Sequence, residues 1–321
     1  MYKLIKDIKE NIIEGINLTY EKEKSIKKIK FEKIISCGMG GSGIGGRIVK
    51  VLLEHKVSYP IFVHNDYNIP AWVDQKTLVL SVSYSGNTEE TLDATEKARQ
   101  KKAKIIGITT GGTLSHLVEN YIKIPSGLPP RCAIAYLTIP QLIIASKFSS
   151  YITQELKNIS SLLSTYFEKI EKKSKNIAKQ IKNTIPVIYS STPYLRPIAY
   201  RYQCQLNENS EIFVHHHYIP EMNHNEIMGI NKMKRFSLLW LYDKEYDSRY
   251  TKRIKITNSL IKNSFKNNLI IEPFSNFKTE IEKTFFYIVF GDLLSYFLAK
   301  ERKIDPFPVK RIEELKKRMK E

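Results

Sequence analysis

Cysteine is scarce in this chain: Cys37, Cys132 and Cys204 are the only three in 321 residues, and none forms a CxxC pair. That excludes a disulfide scaffold and a CxxC-type structural zinc site, and it fits a reducing, cytoplasmic setting. Long hydrophobic runs are missing as well. The longest uncharged apolar stretch runs from Cys132 to Ser146 and contains Pro140, whereas a bilayer span needs about 20 apolar residues. No membrane partner is expected. The first twenty residues, MYKLIKDIKENIIEGINLTY, have no uninterrupted apolar core, which argues against a secretory signal. Acid is short relative to base: 33 Asp and Glu against 51 Lys and Arg give a net charge of +18. Such a surplus raises the question of nucleic acid. The lysines are dispersed, however, as in Glu168-Lys169-Ile170-Glu171-Lys172-Lys173. They read as a solvated basic surface that draws in anionic metabolites, with no nucleic-acid partner.

What is present is a globular composition, 42% apolar and 26% charged. β-Branched runs at 33–37, 60–64, 77–83, 104–109 and 121–124 alternate with amphipathic segments such as Thr88–Lys101. A lysine-rich, helix-periodic segment follows from Pro140 to Asn183. Strand patterns then resume at 186–190, 211–215, 236–242 and 268–272. Thr284–Lys300 reads as a buried helix, and the turn Asp305-Pro306-Phe307-Pro308 precedes a last amphipathic helix, Val309 to Lys320. This alternation predicts an α/β fold of two lobes, each a mainly parallel sheet flanked by helices in a flavodoxin-like three-layer sandwich. The expected division is 1–145, a helical linker at 146–184, and 185–321. Ligands of such sheets bind beyond the carboxyl ends of the strands, at a switch point.

Two turns stand at such strand ends. The first, Gly38-Met39-Gly40-Gly41-Ser42-Gly43-Ile44-Gly45-Gly46, holds six glycines in nine positions and leads into a helix, whose amides would face an anion. A dinucleotide turn is the alternative. Against it, Asp66 does not close the second strand in the ribose-binding manner. The second turn, Ser83-Tyr84-Ser85-Gly86-Asn87-Thr88, supplies hydroxyls, with Asn87 or Thr88 placed to cap the following helix. Together the two make a neutral, donor-dense cradle for a phosphate monoester, and Thr109-Thr110-Gly111-Gly112-Thr113 lies on the same rim. This pair of motifs resembles the sugar isomerase (SIS) fold.

In the second half, Asn207-Glu208-Asn209 and Asn223-His224-Asn225-Glu226 place acids and a histidine among amides. An aldose–ketose isomerase needs a base, a ring-opening group and a partner for the enediolate oxygen. With these motifs and Pro129-Pro130-Arg131, the chain resembles over its whole length the archaeal-type bifunctional phosphoglucose/phosphomannose isomerases. The resemblance implies two SIS-type lobes and a homodimer with shared active sites, where the histidine reaches in from the neighbouring subunit. It implies Glu208 as the proton-transferring base, His224 in ring opening and Arg131 at the enediolate. Gly41, Ser42, Ser83, Ser85 and Thr88 would hold the 6-phosphate, and Lys310 would contact substrate oxygens. Neither cofactor nor metal is implied. As acids, Glu211, Glu221 and Glu226 compete with Glu208. His215-His216-His217 looks like a metal tract, but successive strand residues alternate faces, so all three do not converge on one ion. Phe307 stands where the resemblance implies a threonine that leaves room for both C2 epimers. A non-catalytic phosphosugar-binding regulator is the other reading of the same cradle.

Overall fold

The computed structural model describes residues 1–319. Three short helices lead in: α1 (Tyr2–Lys6), α2 (Ile8–Tyr20) and α3 (Glu23–Ile26). The first sheet contains β1 (Lys33–Cys37), β2 (Ile61–His64), β3 (Thr77–Val82), β4 (Lys104–Thr109) and β5 (Tyr121–Lys123). All pairings are parallel, in the order β2-β1-β3-β4-β5. Ile34 and Ile35 of β1 and Leu78, Val79 and Leu80 of β3 are fully buried. They read as unbroken apolar runs because helices cover both faces of a parallel sheet. The flanking helices are α4 (Gly40–Leu53), α5 (Glu89–Gln100), α6 (Gly112–Leu117) and α7 (Ile134–Ala145).

After α8 (Ser150–Ile181) the second sheet is built from β6 (Ile185–Ser190), β7 (His215–Tyr218), β8 (Phe236–Leu241) and β9 (Asn267–Ile271). It is also all parallel, in the order β7-β6-β8-β9. Helices α9 (Arg196–Ser210), α10 (Ser248–Ile261), α11 (Glu280–Glu301) and α12 (Lys310–Arg318) complete the chain. Phe285 to Phe290 of α11 are all buried, as the sequence of that helix suggests. Each such side chain contributes about 1.5–3 kcal/mol by leaving water. Among the described residues no helix is long and apolar enough to cross a membrane.

The chain divides into two compact units. One, the N-terminal unit, comprises Lys6–Ser164 with Glu280–Glu282; the other, the C-terminal unit, comprises Met1–Ile5, Thr165–Thr279 and the residues from Lys283 onward. The segment expected as a separate linker is therefore apportioned between the units, with α8 continuous through the boundary. Three other expectations differ from the structure. The second strand of the second half lies at His215–Tyr218, not at 211–215, because Glu211 takes a left-handed conformation (φ 47°) that ends α9 and delays the strand. Pro140 begins no helix; it lies inside α7, every residue of which is buried. Packing on all sides there outweighs the hydrogen bond that proline forfeits. The last helix spans Lys310–Arg318, and Lys320 lies outside the described residues.

Candidate active site

In the N-terminal unit the switch point falls between β1 and β3, and both turns singled out in the sequence stand there. Cys37 pairs with Ser81 across it, and each strand continues directly into its turn. Ser42, in the first turn of α4, is buried, and its Oγ accepts from the Tyr84 amide at 3.1 Å, joining the two turns. Ser83 is fully buried; its Oγ donates to Thr88 Oγ1 (3.0 Å) and accepts from the Gly86 amide (3.1 Å). Ser85 is exposed, and its Oγ accepts from the Asn87 amide at 3.2 Å. Gly86 adopts φ +70°, and a side chain there would collide with the Gly111 carbonyl. This is one place where only glycine fits.

Thr88 occupies the N-cap position of α5, though its hydroxyl makes no capping bond. Asn87 does not cap α5 either. Its Oδ1 accepts from the Thr113 amide (2.9 Å) and hydroxyl (3.0 Å), tying the turn to the start of α6. Arg131 sits in a single turn of 3₁₀ helix, Pro130–Cys132, and is only 6% exposed. A Cβ on Gly41 would lie 2.9 Å from the Pro130 carbonyl oxygen, so the missing side chain is what lets the arginine-bearing turn close on the start of α4. The structure thus gathers Gly41, Ser42, Ser83, Ser85, Thr88 and Arg131 about one sheet edge.

Within the C-terminal unit, Glu208 stands in the last turn of α9, and that helix end is pinned to α11. Asn209 Nδ2 donates to Ser295 Oγ (2.9 Å), and Ser210 Oγ donates to the Ser295 carbonyl (2.7 Å). Further up α9, the buried Arg201 meets both Asp292 oxygens (2.8 and 2.7 Å) and Gln205 Nε2 meets one of them (2.6 Å). Glu208 opens on a cavity of about 660 Å³ that Lys310 and Arg311 also line. Glu211 lines the same cavity, whereas Glu221 and Glu226 do not. Phe307 is 48% exposed and is not among the lining residues, although its neighbour Pro308 is.

His224 ends a 3₁₀ turn, Glu221–His224, between β7 and β8; it is exposed and does not line the Glu208 cavity. The carboxylate two residues on holds this segment to the sheet. Glu226 Oε1 accepts from the Tyr189 hydroxyl (2.5 Å) and lies 2.9 Å from His215 Nε2, while Oε2 is 3.8 Å from His217 Nε2. His216 points the other way, against Tyr200. Hydrogen bonding to Glu226 raises the His215 pKa above its ordinary value, against a smaller opposing effect of burial. Burial pushes the Glu226 carboxyl up, but the bonds from His215 and Tyr189 together outweigh it and the net direction is down. Sequence reasoning separated the three histidines correctly by strand alternation. It missed their carboxylate, because nothing in the local pattern tells that Glu226 folds back over β7. Among the described residues no group of three or more His, Cys, Asp or Glu side chains is arranged to hold a metal ion.

Comparison with known proteins places this geometry. The SIS domain model matches residues 27–145, and the bacterial phospho-glucose isomerase C-terminal SIS domain model matches residues 170–319. A bifunctional phosphoglucose/phosphomannose isomerase of Thermoplasma volcanium is 40% identical over 92% of this chain and 94% of its own length. The chain belongs to the bifunctional phosphoglucose/phosphomannose isomerase family. The relative so named in Thermoplasma acidophilum is 42% identical over 90% of each chain. Among solved structures, the C-terminal domain of glucosamine-fructose-6-phosphate aminotransferase from Francisella tularensis superposes with a TM-score of 0.78 over 95% of this chain and 97% of that one. At 18% identity it bears on the fold alone. The two-lobed parallel α/β architecture of the family is the one described above.

Proposed function

We propose that the protein interconverts glucose 6-phosphate and mannose 6-phosphate with fructose 6-phosphate. The hydroxyls and amides of Gly41, Ser42, Ser83, Ser85 and Thr88 take the 6-phosphate. Neutral donors at the start of a helix suit a dianion without trapping it as a cluster of cations would. His224 assists opening of the sugar ring. Glu208 removes the proton from C2 of the open-chain aldose, giving a cis-enediolate, and returns it to C1 while the O2 hydroxyl proton passes to O1. C2 loses its configuration in that intermediate, so both epimers converge on it. Arg131, buried and permanently charged, neutralises the enediolate oxygen. Lys310 contacts substrate oxygens. No step calls for a cofactor or a metal.

The observation that carries this reading is the position of Glu208: a carboxylate on a pinned helix end, opening with Lys310 on a cavity of about 660 Å³. Glu211, the other acid of that cavity, lies beyond the helix end and is exposed, which favours Glu208 as the base. The exposure of His224, away from the Glu208 cavity, supports a role in the site of a neighbouring subunit, hence a homodimer with shared active sites. Three scattered cysteines with no CxxC pair accord with a cytoplasmic location. The test is incubation of the purified protein with each hexose 6-phosphate in turn, in EDTA, with fructose 6-phosphate measured. Formation from glucose 6-phosphate and mannose 6-phosphate is expected. Phosphosugar binding without turnover would instead mark a regulator. Turnover only after metal is restored would refute the mechanism.

A further inference from the structure

The C-terminal unit has a second cavity, of about 570 Å³, at the edge where its strands begin. Five element ends build it. Lys182 follows α8, Thr184 and Ile185 lead into β6, Arg235 precedes β8, Lys266 precedes β9, and Arg302 follows α11. With Lys234, the lining holds five cations and no carboxylate. One of the five, Lys182, also pairs with Glu301 at 3.6 Å. Lys234 Nζ donates to the Asn263 carbonyl (2.6 Å) and more weakly to that of Phe265 (3.4 Å). Arg302 Nη1 reaches the Lys182 carbonyl at 3.4 Å, while its Nε is buried with no partner. Behind these side chains the wall is fixed: Thr184 Oγ1 meets Ser237 Oγ at 2.6 Å, and Asn267 Nδ2 reaches both Ser237 Oγ (2.9 Å) and the Gln180 carbonyl (3.1 Å).

Like charges held around one concavity repel, and a buried guanidinium N–H without an acceptor costs desolvation. Both costs are relieved by an anion. A monophosphate would leave most of the five charges uncompensated; a chain of phosphoryl groups carries a charge closer to their number. The lysines would act as point charges and the arginines as forks. The contrast with the hydroxyl-and-amide cradle at the β1/β3 switch point is chemical. That cradle is neutral and suited to one phosphate monoester, whereas this cavity is cationic. We propose that it is a second anion site, built for an oligophosphate group. The proposal does not depend on the isomerase reading.

The test is calorimetric titration of the full chain with inorganic tripolyphosphate at low ionic strength. One equivalent is expected to bind. In Arg235→Glu/Lys266→Glu the dissociation constant should rise by about tenfold or more, two attractive charges having been reversed. Should that variant fail to fold, Arg235→Gln/Lys266→Gln should raise it by about threefold. Two controls should bind as the wild type does: Lys28→Glu/Lys30→Glu, on exposed lysines of the N-terminal unit, and Ser83→Ala/Ser85→Ala. Absence of binding overturns the proposal. So does equal weakening in the Lys28/Lys30 variant, which would mean diffuse attraction to a basic surface. Loss in the serine variant would hand the anion to the phosphate cradle and refute the second site. Adenosine triphosphate titrated alongside separates the sources of such a group. Tighter binding than tripolyphosphate assigns the cavity to a nucleotide; equal or weaker binding assigns it to the phosphate chain alone.

Discussion

Glu208→Gln keeps the size and polarity of the side chain and removes its basicity. If Glu208 carries the proton, kcat should fall by about 10²- to 10⁴-fold, the usual worth of general-base catalysis, with substrate affinity retained. Turnover and a binding isotherm for fructose 6-phosphate check it; near-wild-type turnover would remove Glu208 from the mechanism. A second residue-scale prediction concerns Glu226. The His215 pKa is raised above 6.5, so its pairing with Glu226 is fully present below that value and is lost as pH rises through the raised one. The Glu226 pKa is lowered from 4.5, so its contribution is present above that value and is lost as pH falls through the lowered one. Tyr189 and His217 also face this carboxylate. The melting temperatures of wild type and Glu226→Gln should therefore differ most between about pH 5 and 6.5 and converge toward pH 9. A difference independent of pH would mean that the charge pair contributes nothing. Individual residues were legible where chemistry is local: the serines of the second turn and the glycines of the first announce themselves by type and spacing. Glu226 was legible only as a rival acid, because its partners come from β6 and β7, 37 and 11 residues away.

At the scale of elements, α9 matters because it carries Glu208, and its pairing with α11 is polar as well as apolar. Tyr202 donates to the Tyr287 carbonyl (2.9 Å), Arg201 and Gln205 share Asp292, and Asn209 and Ser210 close on Ser295. Asp292 is buried, which raises its pKa, while Arg201 and Gln205 favour its charged form. Removing the carboxylate strands a buried guanidinium, so Asp292→Ala should destabilise the fold by about 3–5 kcal/mol. Chemical denaturation measures it. A loss below about 1 kcal/mol would indicate that water reaches Arg201 and replaces the partner. The apolar side of this helix pair was visible in the sequence of α11. Arg201 and Asp292 were not, since a buried ion pair looks in sequence like two surface charges. Strands were legible for a related reason. Eight of the nine lie where β-branched runs put them, and the central ones are the clearest because buried parallel strands must be apolar on both faces. The exception, β7, is an edge strand of sequence His-His-His-Tyr. Its position is set by the backbone of β6, with Val187 opposite His215, and by the left-handed Glu211 before it.

The whole molecule carries +18 charges, dispersed over its helices. Such a field attracts hexose phosphates from all sides and speeds encounter without fixing where they stop. In the proposed mechanism neutral donors set where they stop, and Glu208 acts with His224, which does not line the Glu208 cavity. A shared-site homodimer has a consequence that no single-chain enzyme can imitate. If the protein is such a homodimer, Glu208→Gln and His224→Ala should each be nearly inactive as pure dimers, since every site lacks one group. When the two are unfolded together and refolded at equal concentration, half of the dimers are mixed. In each mixed dimer one site carries both lesions and the other carries none. Statistical exchange in a two-fold assembly should therefore restore about a quarter of wild-type activity. Activity that stays at the level of the separate variants would place both residues in the same subunit's site. The restored fraction is independent of how strongly each substitution impairs turnover, so it reads the geometry of the assembly directly.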